Sequence, residues 1–164
     1  MLRYLISFIF LASTFVGVYR DPIIPEPTAV EISRPVKMLF FGDMMLGRYV
    51  RTLIDRHGAE HIFQKIRPHL LSSTYDMVSA NLEGPIVTNP IYHQSGTTFG
   101  FPQNTAEIIQ QNYITAVGLA NNHILDRGEK GREETKKFLT EAGVEFFDDQ
   151  NILIKKIKRQ SFAF

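Results

Sequence analysis

The sequence predicts an α/β fold built around a largely parallel sheet. From residue 36 onwards, strand-like apolar runs alternate with segments of helical periodicity. The early strand candidates are uninterrupted apolar runs, which is typical of strands covered on both faces. Polar side chains follow several of these strands at the point where each strand ends. These features predict a layered domain whose ligand site lies beyond the carboxyl ends of the strands.

The first part of the predicted domain has two strands with helical sequence between them. Residues 36–41 (VKMLFF) form a short apolar run followed by Gly-Asp, which predicts a buried strand and a turn. Residues 49–71 have mixed helical periodicity, and Gly58 is expected to divide them into two helices. A second strand is predicted for residues 76–82.

The second part has a long loop, two helices and further strands. Residues 89–103 are rich in turn formers and predict the loop. A short helix is predicted for Thr105–Gln111, with Asn104 or Thr105 as its N-cap. An amphipathic helix is predicted for residues 129–142, ended by Gly143. The remaining predicted strands are residues 114–120, 144–147, 152–157 and 161–164.

Composition excludes several classes of function. The 164 residues contain 18 Lys and Arg against 17 Asp and Glu, a balance that argues against a nucleic-acid partner. The chain has no cysteine, which excludes disulfide scaffolds, thiolate-ligated zinc, iron–sulfur clusters and cysteine nucleophiles.

The first 35 residues predict an export segment and a linker. Arg3 precedes 14 uncharged, strongly apolar residues, 5–18, the pattern of a signal peptide or an N-terminal membrane anchor over residues 1–20. A buried core helix is the alternative for so short an apolar run. Residues 21–35 hold four of the eight prolines and predict an extended linker. The folded domain is therefore expected to begin at residue 36.

Polar side chains that suit a divalent cation follow three of the predicted strands. Taken singly, each group could be an ordinary turn or a helix cap, and their joint occurrence at one sheet edge indicates a site. Carboxylate, amide and imidazole groups together suit Mn²⁺, Mg²⁺ or Zn²⁺. The candidates are Asp43 after the first strand, Asn81 and Glu83 after the second, and Asn121, Asn122, His123 and Asp126 after the third.

These residues lie in three ordered blocks that resemble a known family. The blocks are residues 42–48 (GDMMLGR), 81–85 (NLEGP) and 119–135 (LANNHILDRGEKGREET). Their order and spacing resemble the CapA family of capsule-biosynthesis and poly-γ-glutamate synthesis proteins, a branch of the calcineurin-like metallophosphoesterase superfamily. The resemblance covers residues 36–164 and implies a four-layer αββα sandwich, of which the chain contains the N-terminal portion.

The resemblance also implies a two-metal centre and roles for individual residues. Asp43 matches a metal ligand of the superfamily, and Glu83, with Asn81 as runner-up, matches the bridging position. Asn122 matches an amide ligand, and His123 would act beside the leaving group, where an imidazole can serve as general acid. Asp126 lies in the same block and is predicted, together with His123, to be catalytic.

The blocks depart from the superfamily in two ways. Met45 stands where the superfamily usually has a histidine, a feature that the CapA family shares, which questions generic phosphoesterase activity rather than membership. The later metal-binding histidines of the superfamily have no counterpart, so the chain is expected to be a partial domain.

Three functions follow from these observations. The leading hypothesis is a CapA-like protein at the cell membrane or outside the cytoplasm, acting in synthesis or export of an anionic capsule polymer such as poly-γ-glutamate. Its expected partners are the membrane, through residues 1–20, and a capsule synthase complex. The second hypothesis is a metal-dependent hydrolase of a phosphoester or of the polymer. The third is an inactive fragment, because half of such a domain would leave one sheet face uncovered.

Overall fold

The computed structural model describes residues 34–71, 74–92 and 96–164. The predicted export segment, residues 1–20, and nearly all of the predicted linker lie outside these ranges. Within them, no helix has the length and apolar character needed to cross a membrane.

Five helices and eight strands follow one another in the described residues. The helices are α1 (Arg48–His57), α2 (Ala59–Phe63), α3 (Arg67–Leu70), α4 (Thr105–Gln111) and α5 (Gly128–Ala142). The strands are β1 (Met38–Met44), β2 (Met77–Leu82), β3 (Ile86–Val87), β4 (Phe101–Pro102), β5 (Ala116–Gly118), β6 (Glu145–Phe147), β7 (Ile154–Ile157) and β8 (Gln160–Ala163).

A four-stranded parallel sheet in the order β1-β2-β5-β6 forms the centre of the fold. This confirms the predicted mixed α/β class with a parallel core. Two glycines end helices as their positions predicted. Gly58, with φ +83°, separates α1 from α2, and Gly143, with φ +74°, ends α5 in the left-handed conformation that favours glycine.

Several elements differ from the sequence prediction. β1 continues through the predicted Gly42-Asp43 turn to Met44, so Asp43 lies within the strand, and residues 49–71 form three helices instead of two. The predicted strand at residues 114–120 is reduced to the three residues of β5, although single backbone hydrogen bonds from Thr115 and Leu119 continue the contact with its neighbours. The predicted loop at residues 89–103 ends in β4, which pairs in parallel with β3. Strands of two residues are too short to show a period of two, so the hydrophobic pattern could not reveal them.

The two faces of the sheet are covered unequally. On one face the helices pack over alternate strand residues such as Val78 and Val117. On the other face the antiparallel β7–β8 hairpin packs over Met77 and Ala116, near the beginning of the strands. Towards the strand ends this second face is open, and Phe40 is 54% exposed beside a cavity of about 300 Å³.

Asp76 fixes the beginning of β2 against the segment that enters the domain. Its carboxylate accepts hydrogen bonds from the backbone N–H of Lys37 at 3.0 Å and from Arg34 at 2.7 and 3.1 Å. The Lys37 N–H first, and then Arg34 and Lys158, hold the pKa of Asp76 below its usual range. The carboxylate therefore stays ionised and connects the beginning of β2 to the segment that precedes β1.

Thr135 connects the longest helix to the segment that follows β2. Its side chain is fully buried, and its hydroxyl accepts a hydrogen bond from the Ile86 N–H at 2.8 Å and donates to the Gly131 carbonyl at 2.7 Å. The hydroxyl therefore satisfies a backbone donor that has been removed from water.

We expect Thr135→Val to lower the free energy of unfolding by about 1–3 kcal/mol, because the buried Ile86 N–H loses its acceptor while the side-chain volume stays nearly constant. Thr140→Val is the matched control, since the exposed Thr140 hydroxyl donates only to the Lys136 carbonyl on the same helix. That change should stay within about 0.5 kcal/mol. Equal effects in urea denaturation would contradict the role given to Thr135.

Candidate metal and catalytic site

The parallel register brings the ends of the first two blocks together. Asp43 of β1 lies directly opposite Asn81 of β2, and Asn81 lies opposite Gly118 of β5. A register irregularity in β1 between Phe40 and Asp43 precedes this pairing. The candidate residues of the three blocks therefore meet at one edge of the sheet, as the sequence predicted from the positions of the strand ends.

Asn81 lies between two carboxylates of the site. Its amide nitrogen donates to Asp43 Oδ1 at 2.8 Å and to Glu83 Oε2 at 2.6 Å. Asp43 is exposed, whereas Asn81 and Glu83 are half-buried. One neutral side chain thus holds two acidic groups that would otherwise repel each other.

The two adjacent asparagines of the third block occupy different environments. Asn121 is half-buried and its amide nitrogen donates to Asn81 Oδ1 at 2.9 Å and to the Leu82 carbonyl at 2.8 Å. Asn121 Oδ1 accepts the backbone N–H of His123 at 3.0 Å. Asn122 is exposed, so its amide is open to solvent and to any ligand at this edge.

His123 lies between two carboxylates. Its Nδ1 is 2.9 Å from Asp126 Oδ2, and its Nε2 is 3.9 Å from Glu83 Oε1. Asp126 Oδ2 also accepts the backbone N–H of Phe99 at 2.6 Å. The pairing with Asp126 orients the imidazole so that Nε2 faces the side of the site where Glu83 lies.

A wall beside the histidine is formed by residues that the sequence did not assign to the site. The buried Phe99 ring lies 4.5 Å from the His123 ring, centroid to centroid. The Arg48 guanidinium lies 4.6 Å from the Phe99 centroid and donates to the Gly96 carbonyl. Arg48 has φ +49°, a left-handed conformation that is uncommon outside glycine and often occurs at functional sites.

Phe99 lies in the turn-rich segment predicted as a loop, and the sequence does not show its contact with His123, which lies 24 positions away. Asn121 stood within the third block, but the sequence could not tell a residue that orients its neighbours from one that binds a ligand. Only the hydrogen-bond partners of the two asparagines separate these roles.

The side chains that meet at this edge have the chemistry of ligands for a divalent cation. Carboxylate oxygens of Asp43 and Glu83, the exposed amide of Asn122 and the imidazole of His123 are all groups that bind such ions. Within the described ranges, however, no three side chains among His, Asp and Glu are grouped closely enough to be recognised as a metal-binding set. The metal assignments of Asp43, Asn81, Glu83 and Asn122 therefore stay predictions.

Comparison with known proteins identifies a family that matches most of this chain. The family described as "Bacterial capsule synthesis protein PGA_cap" matches residues 37–151, which include all three blocks.

Two curated relatives are similar to the chain. One, named "Capsule biosynthesis protein CapA" from Bacillus anthracis, is 29% identical over 93% of this chain and 39% of its own length. Another, named "PGA biosynthesis protein CapA" from Bacillus subtilis (strain 168), is 33% identical over 58% of this chain and 25% of its own length. The chain thus spans well under half the length of either relative.

Gly84 allows Phe99 to pack against the site, and we expect Gly84→Ala to disturb it. A Cβ atom at position 84 would lie 2.7 Å from Phe99 Cβ, too close for either residue to keep its place. We expect the free energy of unfolding to fall by about 1–3 kcal/mol in urea denaturation. Gly42→Ala, where a Cβ would meet nothing within 4 Å, should change it by no more than about 0.5 kcal/mol. If the two variants are equally stable, Phe99 does not pack on Gly84.

Proposed function

The chain belongs to the family of the bacterial capsule synthesis protein PGA_cap, and from that premise we propose that it acts in synthesis or export of an anionic capsule polymer such as poly-γ-glutamate. The observation that carries the proposal is the family match over residues 37–151, which contain the clustered side chains of Asp43, Glu83 and His123. The printed name of the Bacillus subtilis relative, a PGA biosynthesis protein, supports poly-γ-glutamate as the polymer.

The same cluster is proposed to hold one or two divalent cations, Mn²⁺, Mg²⁺ or Zn²⁺. Asp43, Glu83 and Asn122 would be the ligands of the cation, and Asn81 is the predicted alternative to Glu83. When bound, such an ion polarises phosphoryl or carbonyl oxygens and lowers the pKa of water.

The second candidate function is a metal-dependent hydrolase of a phosphoester or of the polymer. The specific observation in its favour is the contact of His123 Nδ1 with Asp126 at 2.9 Å. The hydrogen bond to a carboxylate at Nδ1 orients the imidazole, so that Nε2 is placed to pass a proton to a leaving oxygen. The buried Phe99 ring packs beside this pair, 4.5 Å from the His123 ring from centroid to centroid.

The proposed location is the cell membrane or the space outside it, reached through residues 1–20. Those residues have the charge and hydropathy pattern of an export segment. A capsule synthase complex is the proposed protein partner, because a polymer has to pass from its synthesis to its export. The near-balanced net charge of the sequence argues against a nucleic-acid partner.

We expect Glu83→Ala, introduced into the gene of the organism that carries this chain, to reduce cell-surface polymer to the level of a deletion strain, because the change removes a central carboxylate of the site. Acid hydrolysis of washed capsule and amino-acid analysis measure the glutamate released. Glu141→Ala is the matched control, since this exposed glutamate of α5 lies 3.9 Å from Lys137 and takes no part in the cluster. Normal polymer in Glu83→Ala cells would contradict the proposal.

A separate measurement tests the metal. We expect calorimetric titration of Mn²⁺ into the 164-residue chain to show binding that Glu83→Ala weakens at least about tenfold and Glu141→Ala leaves unchanged. Hydrolysis of a nitrophenyl phosphodiester in Mn²⁺ should fall about 10²-fold or more in His123→Ala. Metal binding without hydrolysis would retain the capsule proposal and exclude the hydrolase for that substrate, whereas no Mn²⁺ binding would exclude the metal site.

A further inference from the structure

Four amide and backbone groups at the site form a continuous chain of hydrogen bonds. The Asn121 side chain bonds to the Leu82 carbonyl, to the His123 N–H and to the side chain of Asn81. The side chain of Asn81 bonds in turn to the carboxylates of Asp43 and Glu83. We call this chain of groups the amide relay. Every contact in it is between 2.6 and 3.0 Å.

The direction of the amide relay is fixed by the two backbone groups. A carbonyl can only accept, so the nitrogen of Asn121 must face Leu82, and a backbone N–H can only donate, so the oxygen of Asn121 must face His123. With its nitrogen already turned in that direction, Asn121 presents a donor to Asn81, whose oxygen must accept it. The nitrogen of Asn81 is then left to face Asp43 and Glu83.

The geometry points to Asn81 as a positioning residue that acts as a hydrogen-bond donor, holding Asp43 and Glu83 in place through its NH₂ group. This inference deepens the proposed function, because it divides the predicted ligand set into groups that face a cation and a group that arranges them. Both protons of the Asn81 amide are used by carboxylates, and its oxygen is used by Asn121. One of the two lone pairs of that oxygen is therefore already committed to Asn121.

Electrostatics explains why an amide occupies this position. Asp43 and Glu83 each accept from one nitrogen, so their oxygens lie within a few ångströms of a common point. A carboxylate at position 81 would replace both donors with acceptors and bring a third negative charge to the same place. An amide supplies two donors without a charge, so the site keeps its full negative charge.

The test is the thermal unfolding midpoint of the 164-residue chain in excess EDTA, near neutral pH. We expect Asn81→Asp to lower the midpoint by at least about 4 °C. The matched control, Asn89→Asp, makes the same change of charge at an exposed position outside the amide relay and should shift the midpoint by less than about 1 °C. The double variant Asn81→Asp with Glu83→Gln returns a donor to the pair and should recover more than half of the loss.

Side-chain NMR provides the second readout, which does not depend on the acidic variant folding. In ¹⁵N spectra of the unmodified metal-free chain, one Asn NH₂ pair, identified by its loss in Asn81→Ala, should be protected from exchange with solvent and should shift in Glu83→Gln. An unchanged midpoint in Asn81→Asp, a double variant no more stable than Asn81→Asp, or an Asn81 NH₂ pair in fast exchange would each overturn the inference. Because all these measurements are made without metal, they fail or succeed independently of Mn²⁺ binding and of capsule formation.

Discussion

The hydrogen bonds from Asn81 to Asp43 and Glu83 are the interaction on which the site depends. They exist because β1 and β2 are parallel and in a register that sets Asp43 opposite Asn81. Parallel strands end at the same edge, so one amide at the end of the second strand can reach a carboxylate on the first and another two residues further along its own chain. A shift of that register by one residue would turn Asn81 to the other face of the sheet.

The segment after β2 connects the site to the rest of the domain. Leu82 is fully buried and its carbonyl fixes Asn121, so the position of the third block depends on the path of the second. Four residues later, the Ile86 N–H bonds to Thr135 on α5, which anchors the segment from the opposite side. Between them, Gly84 leaves the space that Phe99 fills. The site is therefore supported by a helix, a loop and the sheet at once.

The sequence predicted the parts of this arrangement that depend on local pattern. The apolar runs predicted the strands of the parallel sheet. Gly58 and Gly143 predicted helix ends because glycine adopts positive φ angles, which both residues have, more readily than other residues do. The rule that ligands bind beyond the carboxyl ends of parallel strands then placed the three blocks at one edge. Contacts of long sequence separation could not be predicted in this way. Phe99 reaches His123 through a loop without periodicity, and the pairing of β3 with β4 depends on two residues in each strand.

The charge of the site relates the proposed metal to the proposed polymer. Asp43 and Glu83 are held by an amide, and Asp126 by an imidazole and a backbone N–H. In the described part of the chain no lysine or arginine forms an ion pair with any of these three carboxylates. The edge therefore carries a concentration of negative charge, which attracts a divalent cation and repels an anionic polymer. An acidic polymer can approach these groups only if that charge is neutralised, and the proposed cation would neutralise it where the carboxylates meet. Binding of the proposed polymer at this edge therefore depends on binding of the proposed cation.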